Sequence, residues 1–291
     1  MSTPVPPPPE PPPLVRVVCV VFHPGEELAT FARTLASASA SPVELVIVDN
    51  GSDPGVSQAV ADRYGARLVA SGENLGYGGG ANLGAAGARA PWILVANSDI
   101  EFPPGSLDAL VAAGEAAPTA GSVGPALLNT DGSVYPSARE LPSLTQGAGH
   151  ALFVRLWPGN PWTRRYQARQ SSAGGQRPAG WLSGACLLVR REAFEALGGF
   201  DDGYFMFFED VDLGERLGRA GWVNLYVPQV QVTHVGGTSW RATPAPMISA
   251  HHASAARYVH RRYPRWYQWP VRQAAALGLR LRERAELRAA G

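Results

Sequence analysis

Three acidic residues stand within four positions, directly after an aromatic run. The run covers residues 204–208 (YFMFF), and the acids are Glu209, Asp210 and Asp212 at the start of a predicted helix. Negative side chains in a first helical turn complement the helix dipole, so the cluster could be structural. A carboxylate beside aromatic rings is also what a sugar-binding site with a general base needs. The local pattern leaves both interpretations open.

Other polar residues follow short apolar runs. Asp49 ends one run, Asn97 and Asp99 follow another, and His234 follows VQVT. A carboxylate at the end of a buried strand is costly unless it meets a cation or a hydrogen-bond donor, and Mg²⁺ prefers such oxygen ligands. A turn or helix-capping role for Asp99 and a structural role for His234 remain open on the same residues.

A glycine-rich loop, GENLGYGGGANLG, covers residues 72–84. It does not match the dinucleotide-binding fingerprint, because Ala81 stands where the third glycine would fall. Amide side chains at Asn74 and Asn82 flank the glycines, and amides can bind a sugar or a diphosphate. The loop is therefore either a ligand loop or a simple turn.

The composition excludes several functions. The length of 291 residues, 45% of them apolar, suits one large domain or two small ones. The net charge of +1 argues against a nucleic-acid binder. All 25 basic residues are arginine, which rules out Schiff-base chemistry and a P-loop lysine. Cys19 and Cys186 lie in apolar runs, so we expect buried free thiols in a reducing compartment.

Short apolar runs alternate with helical stretches through the first 130 residues. The runs at 15–22, 43–48 and 92–96 are rich in β-branched residues, and Ser106 is a predicted helix N-cap. This alternation predicts parallel βαβ units, hence an α/β fold with a Rossmann-like, mostly parallel sheet flanked by helices. Ligands in such sheets bind at the carboxyl ends of the strands, where the polar residues above lie.

The two ends of the chain differ from this body. Residues 1–13 include eight prolines and predict a disordered polyproline tail. Residues 241–291 carry ten arginines and two acids, with tryptophan and tyrosine at 260–270, and predict a basic helical extension that binds a membrane surface. A solvated or body-docked helix is the alternative. No apolar run reaches the roughly 20 residues that span a bilayer.

The order of these motifs over residues 14–240 resembles glycosyltransferase family 2. That resemblance implies an inverting enzyme of GT-A fold, with a nucleotide-sugar half at 14–130 and an acceptor half at 131–240. Four segments resemble the actinobacterial branch of cell-wall linker rhamnosyltransferases: GSVYPSARELPS (132–143), NPWT (160–163), GWLSGACLLVRR (180–191) and YFMFFEDVDLGERLGRAGW (204–222). Such enzymes move L-rhamnose from dTDP-rhamnose to N-acetylglucosaminyl-diphospho-polyprenol, which implies work at the cytoplasmic face of the plasma membrane.

The resemblance also implies residue roles. Asp210 is the expected general base, and Asp99 with His234 is expected to bind Mg²⁺ or Mn²⁺. Donor contacts are implied for Asp49 (the nucleotide base), Asn74, Gly76, Asn97 and Asp99, and acceptor contacts for Trp181, Ser183, Gly184 and Glu209. The chain departs from the family at Asn97, where many relatives carry aspartate.

Two other functions fit the same residues. A family 2 transferase of another sugar, such as galactofuranose, would keep every catalytic residue. A non-catalytic protein that binds lipid-linked glycans would tolerate the loss of a carboxylate at Asn97. The intact Asp99, Asp210 and His234 favour an enzyme.

Overall fold

The structure is a computed structural model that describes residues 13–142, 175–236 and 244–290. Strands β1 to β12 of these residues are, in chain order, Val15–Val21, Val43–Asp49, Arg67–Ala70, Trp92–Asn97, Ile100–Glu101, Ala120–Leu128, Val134–Tyr135, Ala138–Arg139, Arg177–Ala179, Trp181–Leu182, Cys186–Arg190 and Val223–His234. Helices α1 to α8 are Glu27–Ala38, Gly55–Tyr64, Gly76–Ala85, Ser106–Glu115, Arg191–Ala196, Glu209–Arg219, Pro244–Arg262 and Trp269–Ala290.

One mixed sheet runs through both halves of the body in the order β3–β2–β1–β4–β11–β6–β12–β5. Strands β3, β2, β1 and β4 are parallel neighbours, and β12 runs parallel to β6. The antiparallel strand β11, from later in the chain, lies between β4 and β6. The predicted α/β class, with a mostly parallel sheet flanked by helices, is confirmed.

The central strand β1 is buried along its whole length because helices cover both faces of the sheet. Val17 and Cys19 pack in the core on the α1 side, and Val18 and Val20 pack in a second core on the other side. Cys186 is buried on β11, and both thiols are free, as predicted. Burial raises the pKa of each thiol, to about 12 for Cys186, so neither is a reactive thiolate.

Several local predictions need correction. Ser106 is the first residue of α4, and Gly105 holds the N-cap position with a φ of 73°, which a glycine adopts without strain. The apolar runs at 223–227 and 230–232, each of which predicts a strand of its own, form the single strand β12, with a register shift between Val227 and Gln231. The predicted tail, apart from residue 13, and the NPWT motif at 160–163 lie outside the described residues.

The C-terminal extension is helical, as expected, and its helices pack on the body and on each other. Helix α7 packs on the body, where Arg257 forms an ion pair with Asp201 at 2.8 Å. Helix α8 packs on α7, and His252 lies 3.0 Å from Glu286. Among the described helices, none is both long enough and apolar enough to cross a bilayer.

The contact between α3 and β1 depends on glycine and gives a stability prediction. A Cβ at Gly84 would overlap the side chains of Val18 and Val48, whereas nothing lies near a Cβ at Gly218 of α6. Gly84→Ala should therefore lower the free energy of unfolding by about 1–3 kcal/mol through overpacking. Gly218→Ala, a matched helical control, should be neutral or raise it by about 0.5–1 kcal/mol. Urea unfolding measures both; equal effects would contradict the close packing.

Candidate active site

A cleft of about 640 Å³ lies at the carboxyl ends of β1 and β4. Nine of the sequence-predicted site residues line it: Asn74, Asn97, Asp99, Trp181, Ser183, Gly184, Glu209, Asp210 and His234. The aromatic run at residues 205–208 forms part of the wall. The fold therefore collects these separate sequence segments around one space, which is the size of a small-ligand pocket.

The carboxylate of Asp210 is held by backbone donors at the first turn of α6. The Gly184 N–H donates to its Oδ2 at 2.9 Å, and the Val211 N–H donates to its Oδ1 at 2.8 Å. Tyr77 fixes Gly184 in turn, because its hydroxyl donates to the Gly184 carbonyl at 2.7 Å. Burial raises the pKa of Asp210, while the two backbone donors and the nearby Arg139 cation act in the opposite direction.

Glu209 has a different environment from its neighbour. Its side chain is buried, and its Oε2 has no hydrogen-bond partner. Burial, and then repulsion from Asp210, raises the pKa of Glu209 well above the usual value of a glutamate. Two adjacent carboxylates, one buried and one half-buried, do not both ionise readily, and Asp210 has the donors that favour its charged form. The surroundings of the pair therefore favour the ionised form of Asp210 over that of Glu209.

The loop before these acids is strained. Phe207 and Phe208 have φ values of 67° and 65°, a left-handed conformation that costs a bulky residue about 1–3 kcal/mol. Helix α7 holds them there: the His251 ring lies 5.5 Å from each phenyl ring, and the Ser254 hydroxyl donates to the Met206 carbonyl at 2.8 Å. The helix thus fixes the backbone that leads into Glu209 and Asp210.

The same helix anchors the beginning of the loop. Arg257 binds Asp201 and also stacks over the ring of the buried Tyr204, with its guanidinium carbon 5.2 Å from the centroid. Arg261 makes a further ion pair with Asp201. Met247 and His251 from α7 line the cleft itself. A segment that the sequence suggested as an appendage is therefore part of the site.

The side chains of Asn50 and Asn74 shape the glycine loop. The Asn50 amide donates to the Asn74 side-chain oxygen at 3.1 Å and to the Gly76 carbonyl at 2.9 Å, and its own oxygen accepts from the Leu75 N–H at 3.0 Å. Gly76 does not line the cleft. A Cβ there would overlap the Phe205 carbonyl, so Gly76 lets the glycine loop and the aromatic loop approach each other.

Asp49 lies at the end of β2 and does not line the cleft. Its Oδ1 accepts from the Ser52 N–H and hydroxyl, both at 2.8 Å, and its Oδ2 accepts from the Ser57 hydroxyl at 2.7 Å. In this structure both oxygens therefore stabilise the turn into α2. Contact between Asp49 and a nucleotide base stays a prediction.

Asp99 and His234 meet although they are far apart in sequence. The His234 Nε2 lies 3.3 Å from Asp99 Oδ1 and 3.4 Å from the Asn97 amide nitrogen. Asp99 Oδ1 is buried without a hydrogen-bond partner, while Oδ2 accepts from the Gly236 N–H at 3.0 Å. Across residues 13–142, 175–236 and 244–290, no three His, Cys, Asp or Glu side chains gather as metal ligands. A cation here would need the Asn97 oxygen or substrate oxygens as well.

Sequence reasoning missed several lining residues. Arg139 lies within the 132–143 segment, and its guanidinium stacks over Trp181 with 5.4 Å to the ring centroid. Tyr77 lies within the glycine loop, so it carried a local signal. His251 carried none, because it reaches the cleft only through the docking of α7.

Comparisons with known proteins agree with this arrangement. Residues 17–198 match the family model "Glycosyl transferase family 2". The chain is 45% identical, over 94% of both chains, to the N-acetylglucosaminyl-diphospho-decaprenol L-rhamnosyltransferase of Mycobacterium tuberculosis.

Two solved structures share the fold. One is the Pyrobaculum calidifontis mannosyltransferase PcManGT in complex with GDP-Man and Mn²⁺, with a TM-score of 0.59 and 16% identity over 97% of this chain and 77% of that one. The other is GalNAc-T7 with UDP, GalNAc and Mn²⁺, with a TM-score of 0.57 and 17% identity over 86% of this chain. This chain spans about half, 51%, of the GalNAc-T7 chain. At these identities the likeness concerns the GT-A fold.

The clamp of α7 on the aromatic loop gives a testable prediction. Arg257→Met removes the ion pair with Asp201 and the cation over Tyr204, so local opening of residues 203–208 should become several-fold more frequent. Arg63→Met is the matched control, since Arg63 also lies over a tyrosine ring, that of Tyr64, but away from the loop. Amide hydrogen exchange of the loop measures the effect. Unchanged exchange in Arg257→Met would contradict the clamp.

Proposed function

The chain belongs to glycosyltransferase family 2, and we propose that it transfers L-rhamnose from dTDP-rhamnose to N-acetylglucosaminyl-diphospho-polyprenol. The 45% identity to the mycobacterial rhamnosyltransferase, which extends over 94% of both chains, supports this choice of sugar and acceptor. The cleft supports it further, because one base, a glycine loop with amide side chains and an aromatic wall surround a single space.

Asp210 is the general base of the proposed mechanism. It takes the proton from an acceptor hydroxyl as that oxygen attacks the anomeric carbon in line with the departing nucleoside diphosphate. Gly184 and Val211 orient its carboxylate through their N–H groups. Trp181, Ser183, Gly184 and Glu209 lie beside it, where we place the acceptor sugar. The donor is placed against Asn74, Asn97 and Asp99, which line the cleft. Donor contacts of Gly76 and Asp49, which do not line it, stay predictions.

Asp99 and His234, with the Asn97 amide, suit a divalent cation, Mg²⁺ or Mn²⁺. The buried Asp99 Oδ1 and the imidazole nitrogen beside it are ordinary ligands for such an ion, and turning the Asn97 amide end for end would present its oxygen. A cation bound there would supply positive charge that stabilises the departing diphosphate.

We place the reaction at the cytoplasmic face of the plasma membrane, with the chain bound peripherally. Trp266, Tyr267 and Trp269 are exposed between α7 and α8, with Trp266 85% exposed. Leu277 and Leu281 are exposed on α8 among arginines. Exposed aromatic rings favour the headgroup layer, and arginine favours anionic lipid. A polyprenyl-linked acceptor stays in the bilayer, so the cleft has to reach its surface.

A donor panel tests the proposed function. The purified chain, with a divalent cation and a short-chain diphospholipid acceptor, should transfer sugar from dTDP-rhamnose and not from other nucleotide sugars, galactofuranose donors included. Transfer of another sugar would make it a family 2 enzyme of different specificity. Absence of nucleoside diphosphate release from every donor would make it a binding protein.

The two adjacent acids have different predicted effects. Asp210→Asn keeps the shape but cannot accept a proton, so kcat should fall by about 10²–10⁴ with little change in donor affinity. Glu209→Gln should keep far more activity, because Glu209 is the carboxyl that burial holds toward its neutral form. Steady-state kinetics of both variants decide the matter. A crippled Glu209→Gln beside a near-normal Asp210→Asn would reverse the assignment.

The metal proposal predicts a shared phenotype for two distant residues. Asp99→Ala and His234→Ala should each lose metal-stimulated turnover while keeping the thermal unfolding of the unchanged chain. Titration with Mn²⁺ in the presence of the nucleoside diphosphate should show weaker metal binding in both. Full turnover of the unchanged chain in excess chelator would remove the metal from the account.

The environment of Asp210 predicts a pH effect. The base works when ionised, and burial raises its pKa, so kcat should fall as the pH drops through that raised pKa. Arg139 favours the ionised form, and Arg139→Gln should move this acidic limb to higher pH. Arg177→Gln is the control, because Arg177 stacks over Tyr226 and does not line the cleft. If the acidic limb of the kcat–pH profile does not move in Arg139→Gln, the electrostatic role of Arg139 is contradicted.

A further inference from the structure

A second cavity of about 370 Å³ lies where α6, α7 and the start of α8 meet. Tyr258 lines this cavity, and its ring lies 5.6 Å from that of Phe208, which lines the cleft, so a pair of aromatic side chains stands between the two spaces. The cavity lining is strongly basic and contains Arg216, Arg219, Arg261, Arg262, Arg272 and His260.

Carboxylates neutralise only part of this charge. Asp212 pairs with Arg216 at 2.6 Å, and Glu215 is shared between Arg219 and Arg262. Arg261 pairs with Asp201, which lies outside the lining, and lies 3.6 Å from Asp212, which already pairs with Arg216. The Nε of Arg272 is buried and has no hydrogen-bond partner. A buried donor without an acceptor is costly, so this wall of the cavity is suited to an anionic ligand.

The cavity lies beside the exposed aromatic side chains. Pro264, which lines it, comes just before Trp266, and Arg272 is three residues after Trp269 in the first turn of α8. Tryptophan and tyrosine favour the depth of the lipid headgroups, where lipid phosphates also lie. When these rings enter the interface, the cavity is brought to the layer that contains phosphate.

We propose that this arginine cavity binds the phosphate of a membrane lipid, with Arg272 as a direct ligand. The planar guanidinium fork binds two phosphate oxygens at once, which a lysine ammonium does not reproduce. The proposal rests on the proposed membrane-surface function and adds a specific lipid site to it. Two lipids carry the required chemistry, an anionic phospholipid and the diphosphate of a polyprenyl acceptor.

Charge-conserving variants of the full chain test the site. Arg272→Lys and Arg219→Lys change cavity residues, and Arg280→Lys is the control on an exposed position of α8. Sedimentation is measured with three vesicles: phosphatidylcholine alone, phosphatidylcholine with phosphatidylglycerol, and phosphatidylcholine with a polyprenyl diphosphate. Arg272→Lys should weaken binding about tenfold to the vesicles with phosphatidylglycerol, to those with the polyprenyl diphosphate, or to both. Arg280→Lys should leave binding to all three vesicles unchanged.

The pattern of loss identifies the lipid. A loss confined to phosphatidylglycerol vesicles assigns the site to a headgroup, and a loss confined to polyprenyl diphosphate vesicles assigns it to the acceptor. If Arg272→Lys lowers the melting temperature, the partly exposed Arg219→Lys decides. Unchanged binding in both cavity variants, or an equal loss in Arg280→Lys, would overturn the proposal. A chain that binds vesicles through Arg272 but transfers no sugar would contradict the proposed function alone.

Discussion

Two adjacent carboxylates, the buried Glu209 and the half-buried Asp210, stand at the start of α6, and this arrangement costs free energy that the surrounding structure must offset. Asp210 receives two backbone N–H donors and faces the Arg139 cation, while Glu209 has an oxygen without a partner. One acid is thereby poised to ionise, and the other is held toward its neutral form. The rest of the site keeps this difference in place.

The backbone around Glu209 and Asp210 is held by residues from distant parts of the chain. The Tyr77 hydroxyl, from the glycine loop, donates to the Gly184 carbonyl. The glycine loop therefore fixes the residue whose N–H donates to Asp210. His251 from α7 packs against the left-handed Phe207 and Phe208, which precede the acids. Strain of this kind persists only where neighbouring structure determines it, and α7 is that neighbour. The C-terminal extension therefore serves the site as well as the proposed membrane surface.

Much of the fold could be predicted because buried parallel strands leave a clear sequence signal. The β-branched run of β1 predicted the sheet, and the polar residues at the end of β4 predicted the edge of the sheet where the cleft lies. The order of the motifs predicted the family. The role of His251 could not be predicted, because docking of one helix on a distant loop leaves no local pattern. Ser106 was misplaced by one residue, because the left-handed Gly105 takes the cap position. Strand β12 was predicted as two strands, because its register shift falls between two separate apolar runs.

The central claim is that the cleft offers one ionised base and no carboxylate nucleophile. A single in-line displacement then reverses the configuration at the anomeric carbon, whereas a second carboxylate acting as nucleophile would retain it through two displacements. The most direct measurement is the anomeric configuration of the transferred sugar, read by NMR of the isolated product and compared with the donor. The account predicts inversion. Retention would contradict it, because Glu209 or another carboxylate would have to attack the sugar.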